Sequence, residues 1–199
     1  MTSGKFIVIY GANNLGKTTL AQGLVRRLKE QGLSSRYLKY PVYDLEPTGS
    51  RLNAYLRAGN PEGLTPSSVQ ELFAKNRRDF EPQLKSSLAE GINIVAEDYV
   101  GTGLAWGLTA GVKRAYLDKI NADLLSPDLA ILLDGERFSG GIEKGHRHEQ
   151  GEGIWQRCRQ IHLELAREFG WPIVNANQSR EEVLRSIINT LLDGRICLC

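Results

Sequence analysis

Residues 11–18, Gly-Ala-Asn-Asn-Leu-Gly-Lys-Thr, set two glycines, a lysine and a hydroxyl at the spacing G-x-x-x-x-G-K-[ST]. Gly11 and Gly16 let the backbone curl so that successive N–H groups turn inward. That shape holds phosphate oxygens, and a helix starting at Lys17 adds its positive end. Lys17 is long enough to reach terminal phosphates, and the Thr18 hydroxyl is a hard oxygen ligand suited to Mg²⁺. Asn13, Asn14 and Thr19 complete the candidate cradle for a nucleoside triphosphate. A chance glycine-rich turn is the alternative. The apolar run before it and the helical pattern after it are the context that the motif requires, and a chance match lacks that context. A triphosphate cradle alone fits switches, motors and kinases. A guanine-reading N-K-x-D is missing from the expected place, where the chain reads Val174-Asn175-Ala176-Asn177-Gln178-Ser179, so a GTP switch is disfavoured.

These residues need a scaffold, and the hydrophobic patterning supplies one. Short apolar runs predict strands at about 6–10, 36–40, 92–97, 129–133 and 172–175. Helical periods fall near 17–31, 49–58, 66–90, 112–125, 153–169 and 179–192. Gly32 closes the first helix, Pro66 opens the third, and Pro82 is expected to bend it. This alternation predicts five parallel strands with helices on both faces and ligands outside the carboxyl ends of the strands. The 199 residues suit one domain, 1–199. Residues 135–153, rich in glycine and charge, read as a mobile lid or loop.

A net charge of +2 gives no reason to expect nucleic acid as partner, and no segment approaches the roughly 20 apolar residues that span a membrane. Cys158, Cys197 and Cys199 form no metal-ligand spacing and leave one unpaired in any disulfide scheme, which suits a reducing cytoplasm. A soluble, cytoplasmic protein is expected.

Three further stretches resemble the thymidylate kinase family of nucleoside monophosphate kinases. "YLKYPVYD" looks like that family's F-P-x-R segment, "ELFAKNRRDF" like L-F-x-x-N-R, and "GINIVAEDYVGTGLAWG" like the strand end G-x-x-V-x-x-D-R-Y-x-x-S. The later "GIWQRCRQIHLELA" and "PIVNANQSREEVLRSI" are similar to its last helix, strand and helix, so the likeness covers nearly the whole chain. The resemblance implies a P-loop three-layer α/β sandwich. It also implies transfer of the γ-phosphoryl group of ATP, with Mg²⁺, to a deoxynucleoside monophosphate such as dTMP, in a homodimer whose lid closes over the donor. Carried onto matching positions, Phe73 stacks on the acceptor base, Arg77 bonds its edge, Tyr99 sits by the deoxyribose, and Trp106 takes an aromatic position of the family. Phe73 and Arg77 lie four apart on a helix and so share a face. Tyr40 and Arg51 are further candidates for acceptor contacts.

The departures all fall on the acceptor side. Tyr43 stands where the family's segment has arginine, Glu97-Asp98 stands for its Asp-Arg, and Asn13 holds a position that often carries a carboxylate for the sugar 3′-hydroxyl. Bidentate arginine contacts to phosphate are not reproduced by Tyr or Asp. In one account, Arg51, Arg78 or Lys39 grips the acceptor phosphate while Glu97 or Asp98 helps position Mg²⁺, with Thr18 and Glu97 as its candidate ligands. In a second, the acceptor is a nucleoside whose 5′-hydroxyl uses Glu97 or Asp98 as general base. In a third, the chain has lost catalysis and only binds nucleotide.

Phosphoryl transfer also demands positive charge around the moving group. With Asn14 where the family's phosphate loop can carry arginine, the lid must supply it. Arg147, central in the Gly-flanked segment, is the first candidate, ahead of Arg137 and Lys144. His146 and His148 beside it lack the carboxylate cluster of a metal site. Arg157 and Arg159 match arginine positions of the family and are candidates to reach ATP.

Overall fold

The computed structural model describes residues 3–138, 140 and 151–193, the last without its side chain. The chain runs β1 (Phe6–Tyr10), α1 (Lys17–Glu30), β2 (Ser35–Lys39), α2 (Thr48–Arg57), α3 (Pro66–Ala89), β3 (Asn93–Glu97), α4 (Val100–Thr109), α5 (Arg114–Asn121), β4 (Leu129–Asp134), α6 (Glu152–Phe169), β5 (Ile173–Asn175) and α7 (Arg180–Asp193). The strands form one parallel sheet in the order β2-β3-β1-β4-β5. β1 lies at the centre, where strand order reverses, and the crevice for a ligand opens beyond its carboxyl end.

The five residues of β1, Phe-Ile-Val-Ile-Tyr, are aromatic or β-branched and all buried. Their alternation divides the core. Ile7 and Ile9 pack with Leu20, Leu24, Leu184 and Ile187 of α1 and α7 on one face. Phe6, Val8 and Tyr10 pack with Leu84 and Leu88 of α3 on the other. Each such side chain contributes roughly 1.5–3 kcal/mol when fully buried. A third cluster joins α4, α5 and α6 through Leu104, Trp106, Leu117 and Leu165. A fourth joins α2 and α3 through Leu52, Tyr55, Leu56, Val69, Leu72 and Phe73, with Tyr43 and Leu64 packed against it.

The five strands and the helices α1, α2, α3, α6 and α7 lie where the patterning puts them. α3 starts behind Thr65, whose hydroxyl accepts from the Ser68 amide at 3.2 Å, and it continues through Pro82 to Ala89. The 112–125 helix shortens to Arg114–Asn121. One helix was not expected: α4, sequence VGTGLAWGLT, whose three glycines argue against helix on propensity. Packing overrides that preference. A Cβ on Gly101 would stand 2.5 Å from the Trp171 ring, one on Gly103 2.7 Å from Arg77 Nη2, and one on Gly107 2.7 Å from Leu117. The glycines therefore let α4 sit close against its neighbours.

The expected lid falls largely on residues 139 and 141–150, outside the described residues. Among the described residues no helix is long and apolar enough to cross a membrane, and no group of three metal-binding side chains is present. Cys158 is buried, and burial pushes its thiol up to about 12, which makes it inert packing.

Candidate active site

β1 delivers the chain into the glycine turn. Gly11 (φ 151°) passes so close to β4 that a Cβ would lie 2.8 Å from the Leu133 carbonyl. Asn14 (φ 65°) and Gly16 (φ 78°) follow in the left-handed region, and α1 begins at Lys17. Lys17 is buried, its ammonium donating to the carbonyls of Gly11 (2.9 Å) and Ala12 (3.0 Å) and lying 3.7 Å from the Asp98 carboxylate. Asn13, Asn14, Gly16, Lys17, Thr18, Thr19, Lys39, Glu97 and Asp98 line the hollow over this turn.

Glu97 ends β3 facing the loop. One carboxylate oxygen accepts from the Thr18 hydroxyl (2.7 Å) and the Tyr37 phenol (2.6 Å), the other from Lys39 (3.2 Å). Burial opposes its charge, but Lys17, Lys39 and these hydrogen bonds outweigh burial and hold the carboxyl below the usual range. Burial, with Glu97 as a like-charged neighbour, pushes Asp98 the other way despite the opposing Lys17. Asp98 has φ 62°; its amide bonds the Ile9 carbonyl at 3.2 Å and its carboxylate accepts from the Thr102 hydroxyl at 2.8 Å. The Thr18 and Glu97 oxygens are hard donors side by side, which fits Mg²⁺.

A second pocket adjoins the first. Asn13, Leu56, Gln70, Phe73, Arg77, Asp98, Thr102, Gly103 and Trp106 line it, so Asn13 and Asp98 border both. Arg77 is only 4% exposed; its Nη1 donates to the Asn121 side-chain oxygen at 3.1 Å, and its guanidinium lies 6.0 Å from the Phe73 and Tyr99 ring centres. Burial lowers its pKa.

Phe73, Arg77 and Trp106 thus meet in one pocket with Asp98, whereas three other candidates do not line it. Tyr99 and Tyr40 pack into the core, ring centres 5.0 Å apart, because their rings fill space under α3. Arg51 lies exposed and is engaged bidentately by Glu62 at 2.7–3.0 Å. Arg78 bonds the Ile120 carbonyl, which leaves Lys39 as the one suggested replacement cation at the phosphate loop. Tyr43 carries Arg57 instead: the guanidinium stands 5.0 Å over its ring and bonds its hydroxyl at 2.9 Å.

On the donor side, Trp155 was missed by sequence reasoning. Its indole N–H donates to the Asn13 carbonyl at 2.9 Å, and Arg137 and Arg159 stand 5.7 and 5.9 Å over its ring. Arg159 is clamped by Asp134 at 2.6 and 2.9 Å, Arg137 pairs with Glu152 at 2.7 Å, and Arg157 is exposed. Lys144, His146, Arg147 and His148 lie outside the described residues. Gln70 was also missed, although its positions relative to Phe73 and Arg77, three and seven residues earlier, carried the signal. A separate hollow of about 440 Å³, lined mainly by Tyr10, Leu104, Leu125, Phe169 and Trp171, shares no residue with the phosphate loop.

The parallel sheet, the glycine turn after its central strand and the lysine-hydroxyl pair at the head of α1 define a P-loop nucleotide-binding protein. The model of the thymidylate kinase family matches residues 9–187. The chain belongs to that family. It is 28% identical over 188 residues to a thymidylate kinase of Dictyostelium discoideum, covering 92% of this chain and 83% of that one. It is also 28% identical over 189 residues to that of Homo sapiens, covering 92% and 88%. Among solved structures, the thymidylate kinase of Candida albicans has the same fold, with a TM-score of 0.81 at 22% identity over 97% of this chain and 93% of that one.

Proposed function

We propose that this chain, as one domain over 1–199, transfers the γ-phosphoryl group of ATP to the 5′-phosphate of dTMP. The observation that carries this reading is that the base pocket and the phosphate cradle meet at Asn13 and Asp98. An acceptor stacked on Phe73 presents its phosphate end toward the terminal phosphate held at Lys17, the alignment that makes the transfer effectively intramolecular. Lys17 supplies charge to the transferred group, and the loop amides orient the donor. Thr18 and Glu97 would hold Mg²⁺, which would supply positive charge against the phosphates. Asn14 and Thr19 flank the donor phosphates, and Arg147 brings lid charge to the transition state. Lys39, paired with Glu97, and Lys17, beside Asp98, offset the carboxylates near the acceptor phosphate.

Family membership supports this reading over a nucleoside acceptor or a catalytically silent binder. A homodimer in the cytoplasm, acting on small nucleotides and on neither nucleic acid nor membrane, is the accompanying inference. The test is ADP release from Mg-ATP offered dTMP, thymidine and the other deoxynucleosides and their monophosphates. Turnover with dTMP is expected; turnover with thymidine and none with dTMP overturns the proposal.

A further inference from the structure

Gln70 is 4% exposed and lines the acceptor pocket among the apolar faces of Leu56, Phe73 and Trp106. With Phe73 and Arg77 it forms one stripe of α3 at spacings of three and four. Its carboxamide is not among the fully enclosed polar groups left without a partner, so its polar end meets the open space of the pocket rather than the packed core. A glutamine set between apolar side chains at a pocket wall offers a ligand both a donor and an acceptor where every other neighbour on that stripe is apolar or a pure donor. Thr102, another polar side chain of that wall, already donates to Asp98.

Arg77 beside it is fixed in direction. Asn121 holds Nη1 and is itself held by donating to the Leu117 carbonyl at 2.8 Å. Nη2 lies 2.7 Å from the place of a Cβ on Gly103, so the fork reaches the pocket wall only because residue 103 has no side chain. A guanidinium can only donate, so it requires a keto oxygen and opposes an amino group. A carboxamide both donates and accepts.

We propose that Gln70 is a specificity-determining residue for the acceptor base, its carboxamide pairing with the imide edge of a keto-pyrimidine while Arg77 takes a keto oxygen. Thymine presents that edge as an N3–H between two keto oxygens. Cytosine presents an amino group where Arg77 needs an acceptor, so two donors face each other there; its N3 can accept from the carboxamide, so Gln70 reads the N3–H edge while rejection of dCMP falls to Arg77. This inference rests on the thymidylate reading above.

The test compares wild type with Gln70→Leu and Gln70→Met by steady-state kinetics on dTMP, N3-methyl-dTMP and dCMP, with melting temperature as a check of folding. Both variants are expected to raise KM for dTMP about tenfold. KM for ATP should stay within about twofold, because the donor cradle is untouched. Wild type should prefer dTMP to the N3-methyl analogue, and both variants should lose that preference; both should melt within a few degrees of wild type, since Leu and Met are similar to Gln in volume and sit among Leu56, Phe73 and Trp106. Variants that keep the wild-type KM and the N3–H preference overturn this inference alone. Wild type without dTMP turnover overturns the thymidylate reading and this inference with it.

Discussion

The Trp155 indole N–H donates to the Asn13 main-chain carbonyl at 2.9 Å, tying the first turns of α6 to the loop that borders both pockets. Trp155→Phe keeps an aromatic ring under Arg137 and Arg159 but leaves that carbonyl unpaired. A lost partner of this kind is worth about 1–3 kcal/mol. Expected is a fall in kcat of about tenfold with a smaller change in KM for dTMP, read by initial rates at saturating acceptor. An unchanged kcat would remove Trp155 from the loop's support.

Gly103→Ala should separate folding from recognition. The atoms in the way belong to the end of the Arg77 side chain and not to backbone, so the methyl is admitted by pushing the guanidinium off Asn121, and the lost bond offsets the up to about 1 kcal/mol that α4 gains in helix propensity. The guanidinium must then leave its place. Melting temperature is expected to change by only a few degrees while KM for dTMP increases at least about tenfold and KM for ATP does not. Equal shifts in both KM values would show that the residue acts through the fold.

Two charge deletions on the donor side should differ in kind. Lys17→Ala removes the ammonium that the loop holds against Gly11 and Ala12, and turnover is expected to vanish. Arg147→Ala is expected to lower kcat more than it raises KM for ATP, as charge felt only in the transition state does. Equal losses in rate and ATP affinity at 147 would assign it to ground-state binding.

Acid sensitivity should trace to His162. Burial lowers its imidazole from 6.5 to about 4, and Nδ1 donates to the Cys158 carbonyl at 2.9 Å. In the unfolded chain the ring takes up a proton first, so its contribution is present above about 6.5 and is lost as pH falls toward 4. The full effect is on the order of 3 kcal/mol. His162→Leu should flatten melting temperature against pH in that window; parallel curves for the two proteins would refute the assignment.

The phosphate loop was legible because backbone conformation favours its residue types: glycine adopts φ 78° before Lys17 at least cost, and only glycine allows the close pass of residue 11 under Leu133. The five strands were legible through their unbroken apolar runs. α4 was not, since its glycines signal packing partners, Trp171, Arg77 and Leu117, that lie far along the chain or in other helices. The same limit hid Trp155 and Asn121, whose roles are contacts across 142 and 44 residues. Arg51 shows what segment position alone does not convey: the structure pairs it with Glu62 on the outer surface and away from the residues that line the two pockets.

The α2–α3 cluster around Leu52, Leu56 and Phe73 is a small apolar island of its own, whereas the glycine turn follows β1 and Asp98 follows β3, its amide bonded to the Ile9 carbonyl of β1. The proposed phosphate-handling groups are thus anchored at strand ends, whereas Leu56 and Phe73 of the proposed base wall belong to a separate cluster at the outer end of α3, whose other end packs on the sheet. Mutations in that cluster can retune which base is admitted without unsettling the machinery of transfer, so diversity of acceptor choice across relatives should be concentrated there.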